Sequence, residues 1–203
     1  MGMGVNFFEN AFGAEFEYIN PEQGLSFSSE TRRLKFCAAR NVNDRDLDAC
    51  AALYGDPNVV RRFSDGVTKT REEVVFLANV WTGMWRLGSP FSGIRIGLQD
   101  GSPVGFMTVS DEPDCEIECF IKKDCWKRGL EKEALTWAVH DYIPAAESWD
   151  KSLVVRTVLV TVRPGDHVLA NICERNLGMH RVGMTRDRSR DLYRLTLQPE
   201  ALR

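Results

Sequence analysis

The sequence predicts an α/β (α+β) fold, a central, twisted, mixed sheet of about six to seven strands flanked by helices. Three observations predict it. Segments with helical apolar spacing alternate with short apolar runs along most of the 203 residues. The turn Gln99-Asp-Gly-Ser102 lies between two such runs, and an Asp-Gly turn joins antiparallel strands. The β-branched run Leu153 to Val162 is typical of a buried central strand.

The elements follow in order. Residues 1–31 form an acidic, aromatic arm, with Phe8, Phe12 and Phe16 at helical spacing and a turn at Asn20-Pro-Glu-Gln-Gly24. The arm is expected to cover the domain or a second copy, which makes a homodimer the expected self-association. Residues 32–203 are expected to form a single domain. It opens with a strand, Leu34 to Arg40, and a helix, Arg45 to Tyr54, capped by Asn43-Asp44. After Asp56-Pro-Asn58 a short helical stretch reaches Phe63. A helix from Thr70 through Trp85 follows, with Thr70 as cap and Glu72-Glu73 in its first turn, and Gly88-Ser-Pro90 stops it. Strands Phe91 to Leu98 and Val104 to Ser110 form the hairpin, and a strand Cys115 to Ile121 leads into a helix that starts at Gly129 and runs toward Tyr142. A loop is expected around Pro144 to Lys151. Beyond the strand Leu153 to Val162, Arg163-Pro-Gly-Asp166 breaks the chain before a helix Val168 to Leu177, which Gly178 ends. Two strands, His180 to Thr185 and Leu192 to Leu197, close the order.

The stretch Trp126-Lys-Arg-Gly-Leu-Glu-Lys-Glu-Ala134 carries the strongest chemical signal. It joins a strand to a helix through a glycine, and the first N–H groups of a helix lack intrahelical partners and bind anions. No G-x-x-x-x-G-K-[ST] occurs, and a single glycine is not the dinucleotide G-x-G-x-x-G. The phosphate-bearing candidate that remains is coenzyme A.

Composition bounds the rest. With 43% hydrophobic and 27% charged residues the chain is expected to bury one core. No apolar run nears the roughly 20 residues of a membrane helix, and no secretory signal is evident, so a cytoplasmic protein without a membrane partner is expected. The net charge of −3 is uneven, because residues 1–30 hold five glutamates and neither Lys nor Arg. No basic face or module marks a nucleic-acid partner. The six cysteines lie scattered in apolar segments and are read as reduced thiols, and Cys115, Cys119 and Cys125 with His140 fit no common zinc spacing, so no metal is expected. His140 and His180 read as structural imidazoles, and Lys122-Lys123 and Arg186 to Arg190 as solvated turns.

From about Leu34 to Leu197 the chain resembles the GNAT N-acetyltransferases, in particular the Rim-type group that includes ribosomal-protein N-terminal acetyltransferases. Asp56-Pro-Asn-Val59 is similar to a DPEV element, and Asp100-Gly-Ser-Pro-Val-Gly-Phe106 to a family hairpin. Glu116 to Ile121 and Trp126 to Ala134 are similar to the acetyl-CoA motif, with Trp126, Gly129, Glu133 and Ala134 in register. His167 through Met179 corresponds to the last motif.

The resemblance implies the GNAT fold and acetyl transfer from acetyl-CoA to a primary amine, either a protein N-terminus or a small amine. It implies cofactor contacts at Ile121, Lys127, Arg128, Gly129, Leu130, Glu131, Lys132 and His167, with the pantetheine arm between the strands Cys115–Ile121 and Leu153–Val162. Glu116 is implied as base through water, while read by itself it is equally a solvent-facing strand glutamate. His167 is implied as a hydrogen-bonding group at the catalytic centre. Phe63, Asp65, Trp81, Trp85 and Glu118 are implied acceptor neighbours, and Trp81 and Trp85 read equally as core. The chain departs from the pattern at Lys127, Glu118 and Glu131, where glycine or alanine is usual, and at His167, Ala170 and Glu174, the last standing where a tyrosine acid is common. The alternative function is a GNAT-fold binding or regulatory module that retains coenzyme A without turnover.

Overall fold

The computed structural model describes residues 15–20, 24–39, 44–63, 66–110, 114–187 and 189–197. Its strands are β1 (Glu15–Asn20), β2 (Gly24–Glu30), β3 (Leu34–Ala38), β4 (Gly93–Leu98), β5 (Pro103–Val109), β6 (Asp114–Ile121), β7 (Thr157–Val162), β8 (His180–Met184) and β9 (Asp191–Thr196). They form one nine-stranded sheet in the order β1-β2-β3-β4-β5-β6-β7-β9-β8. Among the described strands β6 and β7 make the one parallel pair; the others run antiparallel.

The helices are α1 (Asp44–Gly55), α2 (Pro57–Arg62), α3 (Arg71–Arg86), α4 (Leu130–Trp137), α5 (Ile143–Trp149) and α6 (His167–Asn171). They cover both faces. Cys37, Arg95, Phe106 and Phe120 follow one another across β3 to β6, so they share a face. Tyr54 and Phe63 pack on Phe120 from that side, and Trp81 on Phe106. Phe36 points to the other face and stacks on Trp137 of α4, with ring centres 3.7 Å apart.

Nine strands exceed the six to seven expected, because residues 15–30 of the arm join the sheet. Leu25, Phe27 and Ser29 are buried while Ser28 and Glu30 are exposed, a period-2 pattern that seats β2 against β3. Phe27 meets Trp85, Trp137 and Tyr142, and the Trp137 indole donates to Ser29 Oγ at 3.0 Å. Phe16, expected on a helix, lies in β1; Phe8, Phe12 and the centre of the Asn20–Gly24 turn fall outside the described residues.

The expected loop at Pro144 to Lys151 is helical instead. A wide turn with i to i+5 bonds, Ala138–Tyr142, runs directly into α5, and Pro144 sits at that junction, where the change of bonding register accommodates its missing N–H. The strand expected from Leu153 starts at Thr157. Upstream, Ser152 N–H and Oγ turn onto Asp150 Oδ1, and Val155 N–H donates to Glu147 at 2.7 Å, so these donors are taken before any strand can use them.

Candidate active site

The sheet opens between β6 and β7. The two strands pair at Asp114 with Thr157, Cys115 with Val158 and Glu116 with Leu159, and no further. From Ile117 to Ile121, β6 stays with β5 and leaves β7, while β7 stays with β9. A narrow cleft fills the gap, lined by Phe63, Ile117, Glu118, Cys119, Leu135 and Arg190 among others, with space for little more than one water molecule. Glu116 occupies the last rung, at the apex of the split. Its N–H is held by Ser110 Oγ at 2.9 Å. Glu116, Glu118 and Phe120 alternate onto one face, the face that Phe63 covers.

The open end of the split faces the start of α4. Gly129 takes the cap position with φ 73°, left-handed geometry that glycine adopts without a Cβ clash, and no side chain caps the helix. Its first N–H groups therefore face outward without intrahelical partners. Lys127, with φ 61°, is left-handed as well. Arg33, from the turn between β2 and β3, grips this loop from behind. Its guanidinium donates to the carbonyls of Arg128 at 2.6 Å and Gly129 at 3.1 Å and to Glu133 at 2.5 Å. Thr31 also donates to Glu133. Burial pushes the Glu133 carboxyl up, but the hydrogen bonds from Thr31 and Arg33 outweigh it and leave the group below the usual carboxylate range.

Between the cleft and this helix start lies a buried charge cluster. Arg62, at the end of α2, donates from Nε to Asp166 at 2.6 Å and from Nη2 to Glu131 at 3.1 Å. Its guanidinium lies 4.8 Å from the ring centre of Trp126, a cation–π distance, and the Trp126 indole is pinned to the Ile121 carbonyl at 2.9 Å. Asp166 also caps α6 through the N–H of Leu169. Glu131 is 8% exposed, and burial pushes its carboxyl up despite the attraction of Arg62.

The structure brings Glu116, Glu118 and Phe63 together around the split, and Lys127, Arg128, Gly129, Leu130, Glu131 and Lys132 at its mouth. Ile121 ends β6 there, and its carbonyl is taken by Trp126. His167 is exposed as the first residue of α6, beside the Asp166 cap. Glu131, at the position where glycine or alanine is usual, turns its carboxylate toward Arg62. Trp85 is not at the acceptor face. It is fully buried, its indole donates to the Gly93 carbonyl at 2.8 Å, and it belongs to the aromatic core. Trp81 is likewise core, against Phe106, and Asp65 lies outside the described residues. His140 and His180 are exposed rather than set among apolar side chains.

Three residues of the site were not singled out by sequence reasoning. Arg62 and Arg33 carry no motif, since each acts through partners about 70 to 100 positions away. Arg190 was read as part of a solvated turn, yet it is 5% exposed, lines the cleft beside Glu118 and donates to the Arg62 carbonyl at 3.2 Å. Burial and the charge of Arg163 hold its pKa below the usual guanidinium value, while Glu118 and Glu116 oppose the shift. The Tyr193 hydroxyl donates to Glu174 at 3.1 Å, which gives position 174 a phenol neighbour. Burial and that carboxylate push the phenol up to about 12. Neither residue is among those lining the cleft.

A mixed sheet that parts between two parallel strands in front of an uncapped helix start defines an α/β protein built to hold an extended anionic ligand. The chain belongs to the acetyltransferase (GNAT) domain family, whose domain matches residues 38–184. No curated protein matches it in sequence. Among solved structures it is similar to an acetyltransferase from Agrobacterium tumefaciens, at 16% identity and TM-score 0.61, covering 84% of this chain and 94% of that one. It is similar to a ribosomal-protein-alanine N-acetyltransferase from Brucella melitensis, at 16% identity and TM-score 0.54, covering 78% and 98%. It is also similar to yncA from Salmonella typhimurium, solved with its cofactor acetyl-CoA, at 14% identity and TM-score 0.56, covering 84% and 97%. Among the described residues no helix is long and apolar enough to cross a membrane, and no three metal-ligating side chains come together.

Proposed function

We propose that the protein transfers the acetyl group of acetyl-CoA to a primary amine, a protein N-terminus or a small amine. The observation that carries this is the split that starts at Glu116 and opens onto the Gly129 helix start. The N–H groups from about Lys127 to Lys132 hold the diphosphate, and the pantetheine arm enters between β6 and β7, whose one-water cleft widens to admit it. The acceptor approaches on the face of Glu116, Glu118 and Phe63. Glu116, through water, takes a proton from the amine as its nitrogen attacks the thioester carbon. The C–S bond breaks, and the departing thiolate takes a proton from solvent. Arg190 sets the charge of this face, placing one cation against Glu118 and Glu116.

The test is titration with acetyl-CoA followed by an amine and N-terminal peptide screen on wild type and Glu116→Gln. The substitution is expected to lower kcat about 100-fold or more while acetyl-CoA affinity stays within about twofold. Unchanged turnover would remove Glu116 from the role of base. A second reading, cofactor binding without turnover, is favoured by Glu174 and Tyr193 standing off the cleft lining, where neither serves as acid for the departing thiolate. It predicts acetyl-CoA binding and no product with any acceptor.

A further inference from the structure

Glu131 is the second residue of α4, in the segment whose N–H groups hold the diphosphate, yet its carboxylate is engaged inside the protein. Each member of its cluster stands beside a residue that lines the cleft. Phe63, next to Arg62, lines it. So does Leu135, one turn beyond Glu131, and so does Leu169, whose N–H is bound by Asp166. The guanidinium lies over the Trp126 ring and against Glu131 in the first turn of α4. One cation faces two carboxylates there, so both edges of the guanidinium are engaged before any ligand arrives. A diphosphate added to that arrangement meets repulsion from Glu131 and finds the Arg62 guanidinium already taken. With Glu131 turned away, the same guanidinium offers a planar fork of donors that matches phosphate oxygens.

We propose that Glu131 is an internal stand-in for the cofactor's diphosphate, and that Arg62 releases this carboxylate and takes up the diphosphate when acetyl-CoA binds, keeping its bond to Asp166. The inference rests on the acetyl-CoA reading above. No covalent step is involved. The cluster sets affinity by competition, and Arg62 is a binding residue for the transfer reaction. Asp166 fixes the guanidinium in place during the exchange, because it is itself tied to the start of α6.

Isothermal titration of wild type, Glu131→Gln and the double variant Arg62→Ala with Glu131→Gln tests this, using acetyl-CoA and, as a probe without diphosphate, S-acetylpantetheine. Glu131→Gln is expected to tighten acetyl-CoA about tenfold, equivalent to about 1.4 kcal/mol, and to leave S-acetylpantetheine within about twofold. Adding Arg62→Ala is expected to abolish that gain. Glu131→Ala must shift affinity in the same direction, and thermal melts must show that each variant is folded. If wild type binds acetyl-CoA and the folded Glu131 variants bind no tighter, the exchange is overturned while the cofactor reading stands. If neither wild type nor Glu131→Gln binds acetyl-CoA at millimolar ligand, both fall.

Discussion

Replacing Arg62 with alanine removes one cation from between two carboxylates. The Arg62, Glu131 and Asp166 side chains keep 16%, 10% and 11% of their exposure, so solvent screens the vacated site weakly. At an effective dielectric of about 20, contacts of this length carry roughly 5–6 kcal/mol of gross attraction each, most of it offset by desolvating the charges. Breaking such a cluster by removing one partner costs about 3–5 kcal/mol, because the remaining charge stays buried. For a chain of this size that is a fall in Tm of about 6–20 °C. The loss depends on pH in a definite direction. Burial already holds Glu131 above its ordinary 4.5, and without Arg62 its pKa rises further. The native state then binds more protons than the unfolded one, so stability is fully present below 4.5 and falls as pH rises through the native pKa. Calorimetric melts of wild type and Arg62→Ala at pH 5, 6.5 and 8 are expected to diverge most at pH 8. A loss below about 1 kcal/mol, or one equal at all three values, would mean that the cluster is solvated and the reasoning wrong.

Two further outcomes are expected. Gly129→Ala forces a side chain into φ 73°, at a cost of about 1–2 kcal/mol, and should lower Tm by about 2–8 °C and weaken acetyl-CoA binding; an unchanged melt would contradict the geometry assigned to the loop. Trp85→Phe removes an indole donor from the Gly93 carbonyl, which still accepts from Ala39 N–H, and leaves a small void in the core, so the cost should be about 2–3 kcal/mol with KM for the amine unchanged. A raised KM would return Trp85 to the acceptor face.

The parts of the fold that local rules govern were legible in the sequence. The Thr70 to Glu73 capping box, the Asp100-Gly101 turn and the Gly129 helix start depend on neighbours within a few residues, and each formed where its residues placed it. The β2 strand was hidden because the aromatic spacing of residues 8 to 16 suggested a helix while the alternation from Leu25 to Glu30 was short. The same distinction divides the site. Glu118 and Gly129 follow from motif register, whereas Arg33, Arg62 and Arg190 reach the site from distant elements, and a lone arginine in a turn carries no mark of what it will meet. Glu131 shows the effect most clearly. Its departure from glycine or alanine is plain in the sequence, and only the arrival of Arg62 reveals where the carboxylate turns.

The two helical segments that border the split each contain a wide turn, at Ala138–Tyr142 and Ile172–Asn176. Such a turn accommodates one residue more than an α turn, and everything beyond it is rotated by roughly 100° from where an unbroken helix would set it. Beyond that turn Ile143 and Ala146 are buried, and α5 packs against β1. Sequence comparison across this segment therefore needs a one-residue gap between Ala138 and Tyr142 wherever a homologue has a plain helix. An ungapped alignment would set every residue beyond Tyr142 about 100° around the helix axis from its true counterpart.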